Sequence, residues 1–190
     1  FVRGKTGSPH PDVQLYFQPV SYTQAPAGER PMMNPDPYSA IMIGNQPCRP
    51  TSRGHLSIRS SNPFAHPAIH PNYLSTDSDI AAIIDAARAV QKIVATPSMQ
   101  GLITEEMAPV LSEMSDQDII DDFRKRSGTV FHASCTCMMG PDPKTAVVDE
   151  TLKVHGIQGL RVVDASIFPQ VTSGNTNAPA MMVGAKGADL

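Results

Sequence analysis

Six histidines are the side chains here that exchange protons near neutrality. His132 stands apart by its neighbours. It lies in "GTVFHASCTCMMGPD", where an apolar lead-in meets Ala133, Ser134, Cys135 and Thr136. Small side chains let a second group come close, and an imidazole so placed can accept the proton of a substrate hydroxyl. A structural histidine satisfied by its surroundings fits the same residues, and both readings stand at this level. The second stretch is "SGNTNAPAMM", residues 173 to 182. Ser173, Gly174, Asn175, Thr176 and Asn177 suit a tight loop or a helix start. Such a start offers unpaired N–H groups and a positive dipole end, which favour an anion or an electron-rich ring.

The other titratable groups point elsewhere. His66 and His70 are spaced as two ligands on a helix face, but Pro67 and Pro71 exclude that helix and no third ligand is near, so no metal site is expected. His10, His55 and His155 have polar surroundings and read as solvated or locally bonded. Asp116, Asp118, Asp121 and Asp122 read as the solvated face of a helix. Cys48, Cys135 and Cys137 are odd in number and lack zinc spacing, so they are expected to be free packing residues in a reducing compartment such as the cytoplasm.

The elements that must hold these residues follow from local pattern. Residues 13–23 read as a strand, 38–50 as a strand broken by Gly44 and Pro47, and 24–37, rich in proline, as a loop or flap. Residues 52–63 read as a turn and strand with Leu56 and Ile58 on one face, and 64–74 as extended. A helix is predicted over 77–95, capped by Ser75 or Thr76, with Ile80, Ile83, Ile84, Ala87, Val90 and Val94 buried. A second helix spans 115–127, with acids early and bases late. "LRVVDAS" (160–166) reads as a buried strand feeding a loop, and Ala178 to Leu190 as a final helix.

The 190 residues carry a net charge of −3 without a basic run, which excludes an electrostatic nucleic-acid surface. No apolar stretch is long enough for a membrane span. The first residues lack an initiator Met and the last stop inside a helical pattern, so a longer parent protein is expected.

"FHASCTCMMG", "LRVVDASIFPQVTSGNTNAPAMMVGAKGADL" and "RPTSRGHLSIRSSNPFAHPAIHPNYL" together resemble the glucose–methanol–choline oxidoreductases, in particular their choline-dehydrogenase-like branch. The resemblance runs over roughly residues 15 to 190. It implies an α/β protein: here an α+β substrate domain with antiparallel sheet and helices (1–149), then a segment (150–190) returning as strand and helix to an FAD-binding Rossmann-like domain. It implies FAD as cofactor, a primary alcohol as small-molecule substrate, and oxidation to an aldehyde. His132, in the position of an H-x-x-G-T histidine, would be the base, and Asn175 would hydrogen-bond the substrate oxygen. Thr176, Asn177 and Asn175 would contact the flavin, Asp164 and Ala165 would approach its pyrophosphate and ribitol, and Phe131 would wall the ring. Cys135 departs from the family glycine and Phe131 from a frequent tryptophan. The dinucleotide fingerprint G-x-G-x-x-G is absent. The resemblance therefore also implies a missing N-terminal FAD-binding half, without which the chain would bind FAD poorly and be inactive. A hydroxynitrile-lyase-type member and a non-catalytic scaffold of the same fold are the alternatives.

Overall fold

The computed structural model describes residues 1–4, 9–22 and 35–190, which group into two compact units. The first comprises residues 1–48 and 76–129, the second 49–75 and 130–190. The loop expected over 24–37 lies mostly outside the described residues.

In the first unit, β1 (Val13–Gln18) pairs antiparallel with β2 (Met42–Pro47), Val13 opposite Pro47 and Gln18 opposite Met42. Gly44 does not break β2, contrary to the sequence expectation; it pairs with Tyr16, whose hydroxyl donates to Gln46 at 2.7 Å. Pro47 sits at the strand end, where a missing N–H costs least.

Helix α1 (Asp77–Val94) begins where Thr76 accepts from the Asp79 amide, with Asp77 and Asp79 at its positive end. Its buried face is Ile83, Ala86, Ala87 and Val90. Ala86 thus takes a core position expected of Ile84, because the buried stripe is turned slightly around the helix. This face packs on β2 and on α3. A short helix α2 (Pro97–Gln100) follows, then α3 (Asp116–Arg126). Ser115 and Asp118 form a reciprocal capping box at the start of α3. Ile119 is its buried residue. Fully burying such an aliphatic side chain contributes about 1.5–3 kcal/mol. Arg88 of α1 reaches Asp116 at 2.5 Å and the Met114 carbonyl at 3.1 Å, fixing the approach of the two helices.

The second unit is mostly turns. β3 (His55–Ser57) pairs with β4 (Ala68–His70) in an exposed two-stranded ribbon. Leu56, and Ile58 just past the end of β3, are exposed. The ribbon brings His70 opposite His55, with the rings stacked at 4.6 Å. Gly54 is required there: a Cβ would lie 2.1 Å from the His70 carbonyl oxygen.

The core of this unit is Val148, Leu152, Ile167, Phe168 and Val183. Cys135, Met139, Val154, Val162 and Ala165 pack against it. Val183 belongs to the last helix, α4 (Asn177–Ala188). The run 160–166 is not the strand the sequence suggested. Its apolar part bonds through the backbone to residues 152–154, in one isolated bridge (Arg161 with Lys153), and Leu160 and Val163 remain exposed. A strand needs a longer ladder than that neighbour provides.

Candidate active site

The site is built by three segments of the second unit that the core ties together. The chain after His132 runs between two partners: the Cys137 amide donates to the Ser166 carbonyl at 2.9 Å, and Met139 to Ile167 at 2.8 Å. On its other side, Gly140 donates to the Val148 carbonyl at 2.9 Å. The segment 137–140 is therefore pinned to the turn at 165–167. That turn in turn packs against α4. A glycine allows the final approach: a Cβ on Gly187 of α4 would lie 2.4 Å from Val163 Cγ1. His132 and the start of α4 thereby meet.

They meet through hydrogen bonds. Nε2 of the half-buried His132 lies 2.9 Å from Asn175 Nδ2. Nδ1 lies 3.0 Å from the Thr176 hydroxyl, with the Thr176 amide farther away at 3.5 Å. One imidazole thus has a partner on each ring nitrogen, supplied by consecutive residues of "SGNTNAP".

Thr176 is the N-cap of α4, yet its side chain makes no cap bond. The Thr176 side chain thus takes none of the first-turn amides of α4, those of Asn177 and Ala178 (Pro179 has no N–H), and the positive dipole end lies beside the imidazole. Asn175 and Asn177 are exposed at this end, and Phe131 is 82% exposed next to His132.

Two residues here carry left-handed backbone, Phe131 at φ 63° and Cys135 at φ 75°. Glycine is the residue that takes this conformation without a Cβ penalty, and Cys135 takes it with one. Its half-buried side chain packs on the core, and its sulfur lies 3.3 Å from the Ser134 hydroxyl. None of the three cysteines forms a disulfide.

Asp164 and Ala165 have local roles. The Asp164 carboxylate caps the 165–167 turn through the Ser166 amide at 2.7 Å, and Ala165 packs on the core. Hydrogen bonds from Ser166 hold the Asp164 carboxyl below its usual range. Asp149 is held low in the same way, first by the Thr151 hydroxyl and also by the Lys153 and Thr151 amides. His155 is locally bonded, Nε2 to the Gly140 carbonyl at 3.0 Å. Among the described residues no three His, Cys, Asp or Glu side chains cluster as metal ligands, and no helix is long and apolar enough to cross a membrane.

Sequence reasoning paired His132 with Asn175 but missed the bond from His132 to the Thr176 side chain. The available signal was a threonine at a helix start directly after the asparagine, a residue type with a hydroxyl to give. It also missed the His55–His70 stack, which only the strand register reveals.

Residues 50–184 match the GMC oxidoreductase family model. The mitochondrial choline dehydrogenase of Mus musculus is 41% identical over the whole chain, which spans 31% of that relative. The oxygen-dependent choline dehydrogenase of Burkholderia ambifaria is 39% identical, again over the whole chain and 32% of the relative. The chain thus spans about a third of the length of the curated relatives it matches. Among solved structures, pyridoxine 4-oxidase from Mesorbium loti superposes with a TM-score of 0.83 at 27% identity, covering 100% of this chain and 36% of that one. An FAD-dependent oxidoreductase from Chaetomium thermophilum gives 0.73 at 32% identity, covering 80% of this chain and 26% of that one.

Proposed function

The chain belongs to the GMC oxidoreductase family, and on that premise we propose that it carries the substrate-side residues of an FAD-dependent alcohol oxidoreductase. Residues 1–149 serve as the substrate-binding portion, and 150–190 return to the FAD-binding domain. The observation that carries this reading is the 2.9 Å approach of His132 Nε2 to Asn175 Nδ2 at an open helix start.

His132 is the base. Its Nε2 takes the hydroxyl proton of a primary alcohol as the carbinol C–H bond breaks and the carbonyl forms. Bound FAD supplies the acceptor for the hydride, the hydrogen that leaves carbon with its electron pair. Asn175 cannot take a proton at its amide, so it orients: Nδ2–H donates to the alcohol oxygen and holds it toward Nε2.

The residues fit an electron-rich planar ring. The uncapped amides of the first turn of α4 and the dipole behind them favour negative charge. Asn177 and Phe131 are exposed beside them. Asp164 and Ala165 support this end of the site through the turn they build. The chain carries no G-x-G-x-x-G fingerprint, and on this reading the grip on the adenosine half belongs to a separate FAD-binding half.

The relatives' names make choline the first substrate to try. The full-length flavoenzyme, mixed anaerobically with choline, should bleach its flavin band and release the aldehyde. A cyanohydrin cleaved to aldehyde without bleaching would replace this reading with a lyase. A flavin unmoved by choline and by other primary alcohols would contradict it.

A further inference from the structure

Thr176 is one of two buried polar residues among those described, 8% exposed. It occupies a helix N-cap, where a threonine hydroxyl normally accepts from an amide of the first turn and stabilises the helix. Here it does not; the hydroxyl lies 3.0 Å from His132 Nδ1 instead. The backbone of Thr176 still caps, its carbonyl accepting from Ala180 at 2.9 Å. The side chain has been released from the helix and spent on the imidazole.

The tautomer follows from the two ends of the ring. A neutral imidazole has one N–H and one lone pair. Asn175 Nδ2 is a donor only, so at 2.9 Å it requires the lone pair on Nε2. The hydrogen is then on Nδ1, pointing at the Thr176 oxygen as acceptor. The Thr176 amide at 3.5 Å would prefer the reverse, but it is the longer and weaker contact.

We infer that the Thr176 hydroxyl is the positioning residue for His132: it accepts from Nδ1–H, fixes the ring, and keeps Nε2 unprotonated, so that the lone pair that here accepts from Asn175 is the one that takes the substrate proton. This rests on the proposed role of His132 as base. An Asn175 amide turned over would present Oδ1 to an Nε2–H, with Thr176 donating to Nδ1, and would leave no lone pair facing the alcohol.

The test uses the full-length flavoenzyme with 15N-histidine. The parent should show His132 protonated on Nδ1 with a lone pair on Nε2; an Nε2–H ground state would overturn the inference, whether or not His132 is the base. Thr176→Val keeps the shape and removes the acceptor. It should slow anaerobic flavin reduction about five- to tenfold, with the substrate dissociation constant little changed, and should mix the two tautomers. Thr176→Ser should restore the rate to within about threefold and the Nδ1–H tautomer. A valine variant with parental rate and tautomer, or a folded serine variant as slow as the valine one, would refute the positioning role. A proposed base that fails is seen separately, as parental oxidation by His132→Ala.

Discussion

The two units solve the same problem, holding side chains still, by different means. In the first, regular elements do it. α1 lays a helical stripe of Ile83, Ala86, Ala87 and Val90 on β2 and α3, and each long helix is started by a side-chain cap. In the second, short backbone bonds stitch segments 137–140, 146–148 and 165–167 around a small core, and six of its non-glycine residues, Phe131 and Cys135 among them, accept left-handed backbone to fit. The helix that starts at the site gives up its side-chain cap. Regularity supplies stability; the stitched unit supplies an arrangement of groups that regular elements do not offer, and its stability is tied to that arrangement.

The same deletion made in each unit should separate these roles. Ile83→Ala and Ile167→Ala both truncate a nearly inaccessible side chain, 1% and 3% exposed. Each should cost about 2–5 kcal/mol in denaturant unfolding of the full-length protein. Ile167→Ala should in addition slow flavin reduction, because residue 167 both fills the core and accepts from Met139. Equal rates in the two variants would break the comparison.

The next contrast is between helix starts. Ser115→Ala removes a working cap and should cost about 1 kcal/mol of stability without slowing flavin reduction. The corresponding hydroxyl deletion at Thr176 acts on rate. A slowed Ser115→Ala variant would show that caps at the two helices are not distinct in function.

Cys135 tests the backbone. At φ 75°, Cys135→Gly relieves left-handed strain while losing sulfur packing and gaining unfolded-state freedom, so the net change should stay within about 1 kcal/mol. Cys135→Val puts a β-branched residue there and should cost more than that. Thermal melts of the two variants in reverse order would remove the strain argument.

The smallest effect is in acid. Asp118 in the first unit and Asp149 and Asp164 in the second are all held low by hydrogen bonds to the ionised carboxyl. The folded chain therefore binds fewer protons than the unfolded one near the ordinary carboxyl value of about 3.9. The stability these groups contribute is present above that pH and fades as pH falls through and below it. Asp149→Asn should flatten the acid limb of melting temperature against pH; an unchanged limb would show that its bonds carry nothing.

What could be read from sequence divides along the same line. The helical period of α1 and the serine, aspartate and lysine-arginine pattern of α3 report local physics, so both helices were legible to within a residue or two. The run 160–166 was not, because its apolar residues report burial without saying whether a ladder forms, and here they meet residues 152–154 in a single bridge. Gly44 shows the converse: a strand partner overrode a local breaker. His132 and Asn175 could be paired only by resemblance, since no period links positions so far apart. The diversion of the Thr176 hydroxyl had one signal, a threonine directly after Asn175, but that signal does not tell a side chain that caps the helix from one that does not.

Anaerobic flavin reduction by the full-length enzyme carrying His132→Ala probes the site most directly. With the parent and Asn175→Ala as references and choline as the first substrate, loss of the imidazole should lower the reduction rate by about a hundredfold or more. The flavin should remain bound. A rate within a few-fold of the parent would mean that another group takes the proton and that the pair joined at 2.9 Å is not the seat of the chemistry.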